Sequence, residues 1–87
     1  MSSRGSTKTL VPAPNDLQKQ VRQAEQRLSA TFEHTARVLD RSAVLAEDHA
    51  QRDEQAGRHD TAAKERLAGD RAREAARRAQ AHANRLR

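Results

Sequence analysis

The chain has 87 residues, a mass of 9.7 kDa and a formal net charge of +5, which allows one small domain whose core is hard to stabilise alone. Of its 30 hydrophobic residues 17 are Ala, seven Leu and four Val, with one Phe and one Met, and Ile, Trp, Tyr and Cys are absent. That composition leaves too few β-branched and aromatic side chains to face a β-sandwich or barrel. It also offers no continuous apolar strand run for a Rossmann-type domain, and no thiol for disulfides, metal binding or redox chemistry.

Residues 1–14 are small and polar, punctuated by Pro12 and Pro14, and are expected to form a disordered arm. They contain no apolar stretch of signal-peptide length, and nothing in the chain approaches the roughly 20 apolar residues of a membrane span. Cytoplasmic residence is therefore expected. Asn15 has the chemistry of a helix N-cap, with Asp16 favourable in the first turn and Gln18 completing a capping-box pattern.

From Leu17 to Ala50 the apolar spacing predicts a helix. At about 100° per residue, Leu17, Val21, Ala24, Leu28, Phe32, Leu39, Ala46 and Ala50 fall near one meridian. Thr31, Thr35, Ser42 and His49 share this face, and no Asp, Glu, Lys or Arg between 17 and 50 lies on it. The average step is nearer 3.67 than 3.5, which favours a straight or slightly right-handed pairing over a leucine-zipper supercoil. Asp53 falls at the centre of the stripe, so packing is expected to end before it.

Gly57 is a natural C′ residue, and Asp60 or Thr61 offers a second N-cap. In the second predicted helix Ala68, Ala72, Ala75, Ala76, Ala79, Ala83 and Leu86 share one arc. Arg71, Arg78 and Arg85 border it on one side, with Arg73, Arg77 and Arg87 on the other. Alanine permits close approach of a neighbouring helix while arginine stems cover the edges. Gly69 costs about 1 kcal/mol against Ala in a helix interior, so the start of this helix is expected to be its weaker end.

The expected fold is all-α: a helical hairpin turning near Gly57, with a single bent helix as the alternative, occupying residues 15–87 as a coiled-coil-like module, preceded by the arm. Folded back, the second helix would reach only to about Phe32 at about 1.5 Å per residue. Leu17, Val21, Ala24 and Leu28 would then find no partner within the chain.

Candidate chemistry is sparse. Of His34, His49, His59 and His82, only His49 has a potential ligand at helical spacing, in Asp53, and two ligands leave a zinc site half empty. The acidic pairs Glu47/Asp48 and Asp53/Glu54 read as a solvated face, the serines lack a nucleophile-elbow context, and three scattered glycines make no phosphate loop. Neither enzymatic activity, nor a cofactor, metal or small-molecule substrate is expected, and the alanine face is too weakly apolar for membrane binding.

Charge is unevenly spread. Residues 1–70 carry eleven basic and eleven acidic side chains, whereas residues 71–87 carry six Arg and one Glu. The expected function is a non-enzymatic protein–protein interaction module, self-associating or packing on a partner helix. Its face would comprise Leu17, Val21, Leu28, Phe32 and Leu39, with Ala72, Ala76, Ala79 and Ala83 as the close-packed seam. The alternative is a small basic protein gripping nucleic-acid phosphates nonspecifically through Arg71, Arg73, Arg77, Arg78, Arg85 and Arg87.

Overall fold

A computed structural model describes residues 14–87; the arm expected over 1–14 lies, as far as residue 13, outside the described residues. Two helices follow, α1 over Pro14–Gln55 and α2 over His59–Arg85. They fold back on each other as the expected hairpin, and no strand occurs among the described residues. Pro14 opens α1, so Asn15 sits inside the first turn and not at the N-cap. A proline there gives up no helical hydrogen bond and brings a φ already suited to the helix.

The reversal takes three residues. The Gly57 amide donates to the Glu54 carbonyl at 3.1 Å and the Arg58 amide to the Asp53 carbonyl at 2.7 Å, the paired bonds of a Schellman ending. It needs a left-handed residue, which Gly57 supplies at φ +80°. The second N-cap is therefore Arg58, earlier than Asp60 or Thr61, and it makes no capping bond with its side chain. The Arg58 guanidinium instead reaches back to Asp53, Nε to Oδ1 at 2.7 Å, and ties the turn to the end of α1.

The buried residues repeat every seven positions: Ser29, Ala36, Ala43 and Ala50 on α1, Ala62, Gly69, Ala76 and Ala83 on α2, joined by Ala79. None is larger than serine. The Ser29 hydroxyl donates to the Ala83 carbonyl at 3.0 Å, and a Cβ placed on Gly69 would lie 3.5 Å from the Ala43 carbonyl oxygen and from the Ala46 Cβ. These two contacts show the antiparallel register, with Ala36 against Ala76 and Ala50 against Ala62. Small side chains let the backbones approach, and alanine loses no rotamer entropy on burial. Phe32, Leu39 and Ala46 of α1, with Ala72 and Leu86 of α2, are half-buried alongside.

Several expectations shift accordingly. The hairpin seam is centred on Ser29, Ala36, Ala43 and Ala50 and repeats at 3.5 residues on average, the spacing that left-handed supercoiling accommodates. The 3.67 step came from merging two faces of α1, only one of which meets α2. Packing does not stop before Asp53, which occupies the last layer. Gly69 is a point of closest approach, where the sequence suggested only a liability, and Ala68 is exposed. Because the turn is so short, α2 reaches past Phe32: Leu86 and Arg87 lie against Gln26, Ser29, Ala30 and Glu33. The first dozen residues of α1 still extend beyond it as a single helix.

Candidate interaction surface

The two edges of the hairpin differ in kind. Along one, α1 presents Glu33, Asp40, Glu47 and Glu54 at seven-residue intervals, and α2 presents Arg66, Arg73, Gln80 and Arg87. Glu54 pairs with Arg66 at 3.1 Å, Glu47 with Arg73 at 2.7 Å, and Glu33 with Arg87, while Asp40 lies across the same groove from Arg73, Arg77 and Gln80. Arg66 and then His59 hold the Glu54 carboxyl below its ordinary pKa, and Glu47 holds the Arg73 guanidinium above its own. This edge is an ion ladder, closed by its own charges. The Glu47/Asp48 and Asp53/Glu54 pairs, which read as solvated, are thus split: Glu47 and Glu54 join the ladder, and Asp53 turns inward.

Along the other edge charge is missing altogether. The corresponding residues are Leu28, Thr35, Ser42 and His49 on α1 and Thr61, Ala68, Ala75 and His82 on α2. Here the sequence stripe resolves. Leu17, Val21, Ala24, Leu28, Thr31, Thr35, Val38, Ser42, Leu45 and His49 are separated by alternate steps of four and three, an unbroken heptad line. It lies about 100° round α1 from the row that meets α2. Among the described residues, five of the seven large exposed apolar side chains sit on it, Leu17, Val21, Leu28, Val38 and Leu45, each 44–58% exposed. The remaining two, Val44 and Leu67, lie off it.

Two of the four polar members of this second seam have their donors already met within the helix. The Thr31 hydroxyl donates to its own helix at the Arg27 carbonyl, 3.0 Å away, and the Ser42 hydroxyl to the Val38 carbonyl at 3.1 Å. Both donors are therefore satisfied within α1 itself. Shallow apolar hollows flank the line beside Leu17 and Val21 and beside Val44 and Leu45.

The structure therefore divides the expected face. Leu17, Val21 and Leu28 are exposed, Phe32 and Leu39 are half-buried between the two seams, and Ala72, Ala76, Ala79 and Ala83 line the hairpin itself. Phe32 also stacks on His82, ring centroids 5.1 Å apart, so His82 is less of a bystander than its spacing suggested. Sequence reasoning passed over Ser29, Ala36, Ala43, Ala62 and Gly69, whose only signal was small size at intervals of seven.

The six C-terminal arginines do not share one surface. Arg73 and Arg87 belong to the ladder, Arg77 and more loosely Arg78 (3.9 Å) pair with Glu74, and Arg85 bonds the His82 ring at 2.8 Å. Arg71, Arg78 and Arg85 continue a row begun by Lys64 along the outer side of α2. Arg77 holds the Glu74 carboxyl below its usual range.

Next to the turn, Asp53 and Glu65 form an acidic pair. Arg58 lowers the Asp53 pKa, whereas burial and then Asp53 itself raise that of Glu65. When both are ionised they only accept, and Oε2 of Glu65 is enclosed without a hydrogen-bond partner; a proton on Glu65 supplies the missing donor. Among the described residues no group of three or more His, Asp or Glu could hold a metal ion, and no helix is long and apolar enough to cross a membrane. Comparison with known proteins finds no matching family model, curated protein or solved structure.

Proposed function

We propose that this chain is a non-enzymatic assembly module whose hairpin associates with another helix, foremost in a copy of itself, through the second seam of α1. The observation that carries the reading is that uncharged heptad line: ten positions without Asp, Glu, Lys or Arg, holding five of the seven large apolar side chains that are exposed among the described residues. A solvent-facing helix surface ordinarily carries charge at such positions, and a contiguous apolar strip bordered by polar residues marks an interaction surface. The edge that bears the ladder has already met its own charges and leaves the opposite edge to the partner.

Light scattering with refractive-index detection tests the reading, since a chain without Trp or Tyr is nearly invisible at 280 nm. The wild type is expected to run at a multiple of 9.7 kDa. Leu28→Asp and Leu45→Asp, each on the seam, should weaken association at least about tenfold, the equivalent of about 1.4 kcal/mol. Leu67→Asp, an equally exposed leucine off the seam, should leave the mass unchanged. A single-chain mass at every concentration, unaltered by the seam substitutions, overturns the proposal. Absorbance at 260 nm co-eluting with such a monomer would turn attention to the Lys64–Arg85 row and its phosphate chemistry.

A further inference from the structure

We infer that the seam closes on a second copy of this chain running antiparallel, centred between Thr31 and Thr35, so that two hairpins make a four-helix assembly. The inference rests on the self-association just proposed and specifies its geometry.

Five observations converge on this arrangement. The two contact lines of α1 lie about 100° apart, close to the right angle at which a helix in a four-helix bundle meets its two neighbours. Phe32 and Leu39, half-buried now, sit between the lines and would become interior.

The seam is also self-complementary when reversed. Around its midpoint Val21 faces Leu45 of the second copy, Leu28 faces Val38, Ala24 faces Ser42 and Thr31 faces Thr35, so large meets large and small meets small in every one of these layers. A two-fold interface requires this match of a surface with itself.

The unsupported end of α1 chooses between directions. Residues 14–25 extend beyond the end of α2 as a single helix. In the antiparallel register they lie beside residues 41–52 of the second copy, where that copy is two helices thick. Leu17 and Val21 then meet both α1 and the edge of α2 that carries Thr61 and Ala68. A parallel pairing would set the two bare ends against each other with no second layer beneath either. Charge points the same way: residues 14–28 hold Lys19, Arg22 and Arg27 against Asp16 and Glu25, net +1. Residues 38–52 hold Arg41 and Arg52 against Asp40, Glu47 and Asp48, net −1.

The area suffices. From Leu17 to His49 the seam runs about 48 Å at about 1.5 Å per residue and about 10 Å wide, giving about 1,000 Å² over both copies, to which the α2 edge adds. That reaches the threshold of a specific interface.

Cysteine placement tests the register, because the chain has no thiol of its own. Val21→Cys and Leu45→Cys are prepared separately, checked for wild-type helicity, and oxidised alone and as an equimolar mixture; Leu28→Cys with Val38→Cys provides an independent pair. The mixtures should yield at least tenfold more covalent dimer than either variant alone, with the 21–45 and 28–38 bridges identified by mass spectrometry. Bridges of 21 to 21 and 45 to 45 without the mixed product would overturn the antiparallel arrangement and leave self-association standing. A wild-type mass of one chain, with no bridge in any sample, would remove both.

Discussion

Gly69→Ala puts the close packing of the hairpin under direct test. Glycine inside a helix costs about 0.8–1.0 kcal/mol relative to alanine, so the substitution gains that amount wherever the new methyl fits. At position 69 the methyl would meet the Ala43 carbonyl oxygen and the Ala46 Cβ at 3.5 Å and the Glu47 Cγ at 3.6 Å. These are ordinary van der Waals separations, so the methyl fills space without pushing the helices apart. Its burial adds a fraction of the roughly 0.8 kcal/mol that a buried methylene contributes, for a total of about 1–1.5 kcal/mol. For a domain of this size that corresponds to a rise in Tm of about 4–12 °C. Circular dichroism at 222 nm during heating reads the change, at one protein concentration because association itself shifts Tm. Gly69→Leu supplies the contrast: its extra carbons have no room against Ala43 and Ala46 and should cost about 1–3 kcal/mol. A fall in Tm for the alanine variant would mean that the helices approach more closely at Gly69 than its neighbours indicate, and the account of the seam would fail.

Two further outcomes follow from the same geometry. Ser29→Ala removes the hydroxyl that bonds the Ala83 carbonyl and should lower stability by about 1 kcal/mol, measured by urea unfolding; an unchanged midpoint would show that water replaces the bond at no cost. Glu65→Gln tests the acidic pair. Because the folded protein raises the Glu65 pKa, its protonated form is favoured, and that contribution is present at low pH and lost as pH rises through the elevated value. Asp53, lowered by Arg58, contributes in the opposite sense, stabilising above its unfolded pKa and losing that contribution as pH falls. The glutamine, which keeps a donor and cannot ionise, should therefore melt above the wild type at pH 7. The gap should close below about pH 4.3, where an ordinary glutamate takes up its proton. A gap that persists unchanged into acid would refute this account of the acidic pair.

Most of the architecture can be read from the residues. Periodicity marks two helices, Gly57 marks the turn, and the difference in helix length leaves Leu17 and Val21 without an intramolecular partner. What stayed hidden is which face of α1 meets α2. Leu, Val and Phe dominate any hydrophobic stripe, yet here the intramolecular contact rests on Ser29, Ala36, Ala43 and Ala50, because close approach requires small side chains and not strongly apolar ones. The larger side chains mark the surface that the hairpin leaves open. The ion ladder was illegible for another reason: Glu47 and Arg73 are 26 residues apart, and only the exact length of the turn brings them level. Glu65 carried no signal at all, since its altered acidity depends on facing Asp53 across the last layer.

The uniform size of the buried row has a consequence for how the hairpin finds its alignment. Moving α2 along α1 by one repeat would again set alanine or glycine against alanine or serine, so the interior scarcely distinguishes one alignment from the next. The information resides at the two ends and along one edge: a three-residue reversal locked by Gly57 and Arg58, the buried Ser29–Ala83 bond at the far end, and acids on one helix matched to bases on the other. The reversal acts as a ruler, because neither helix can slip while it keeps its length. Seven residues inserted there would preserve every class of interior contact and still free the chain to choose among rival alignments, with only the ladder and the Ser29–Ala83 bond left to arbitrate.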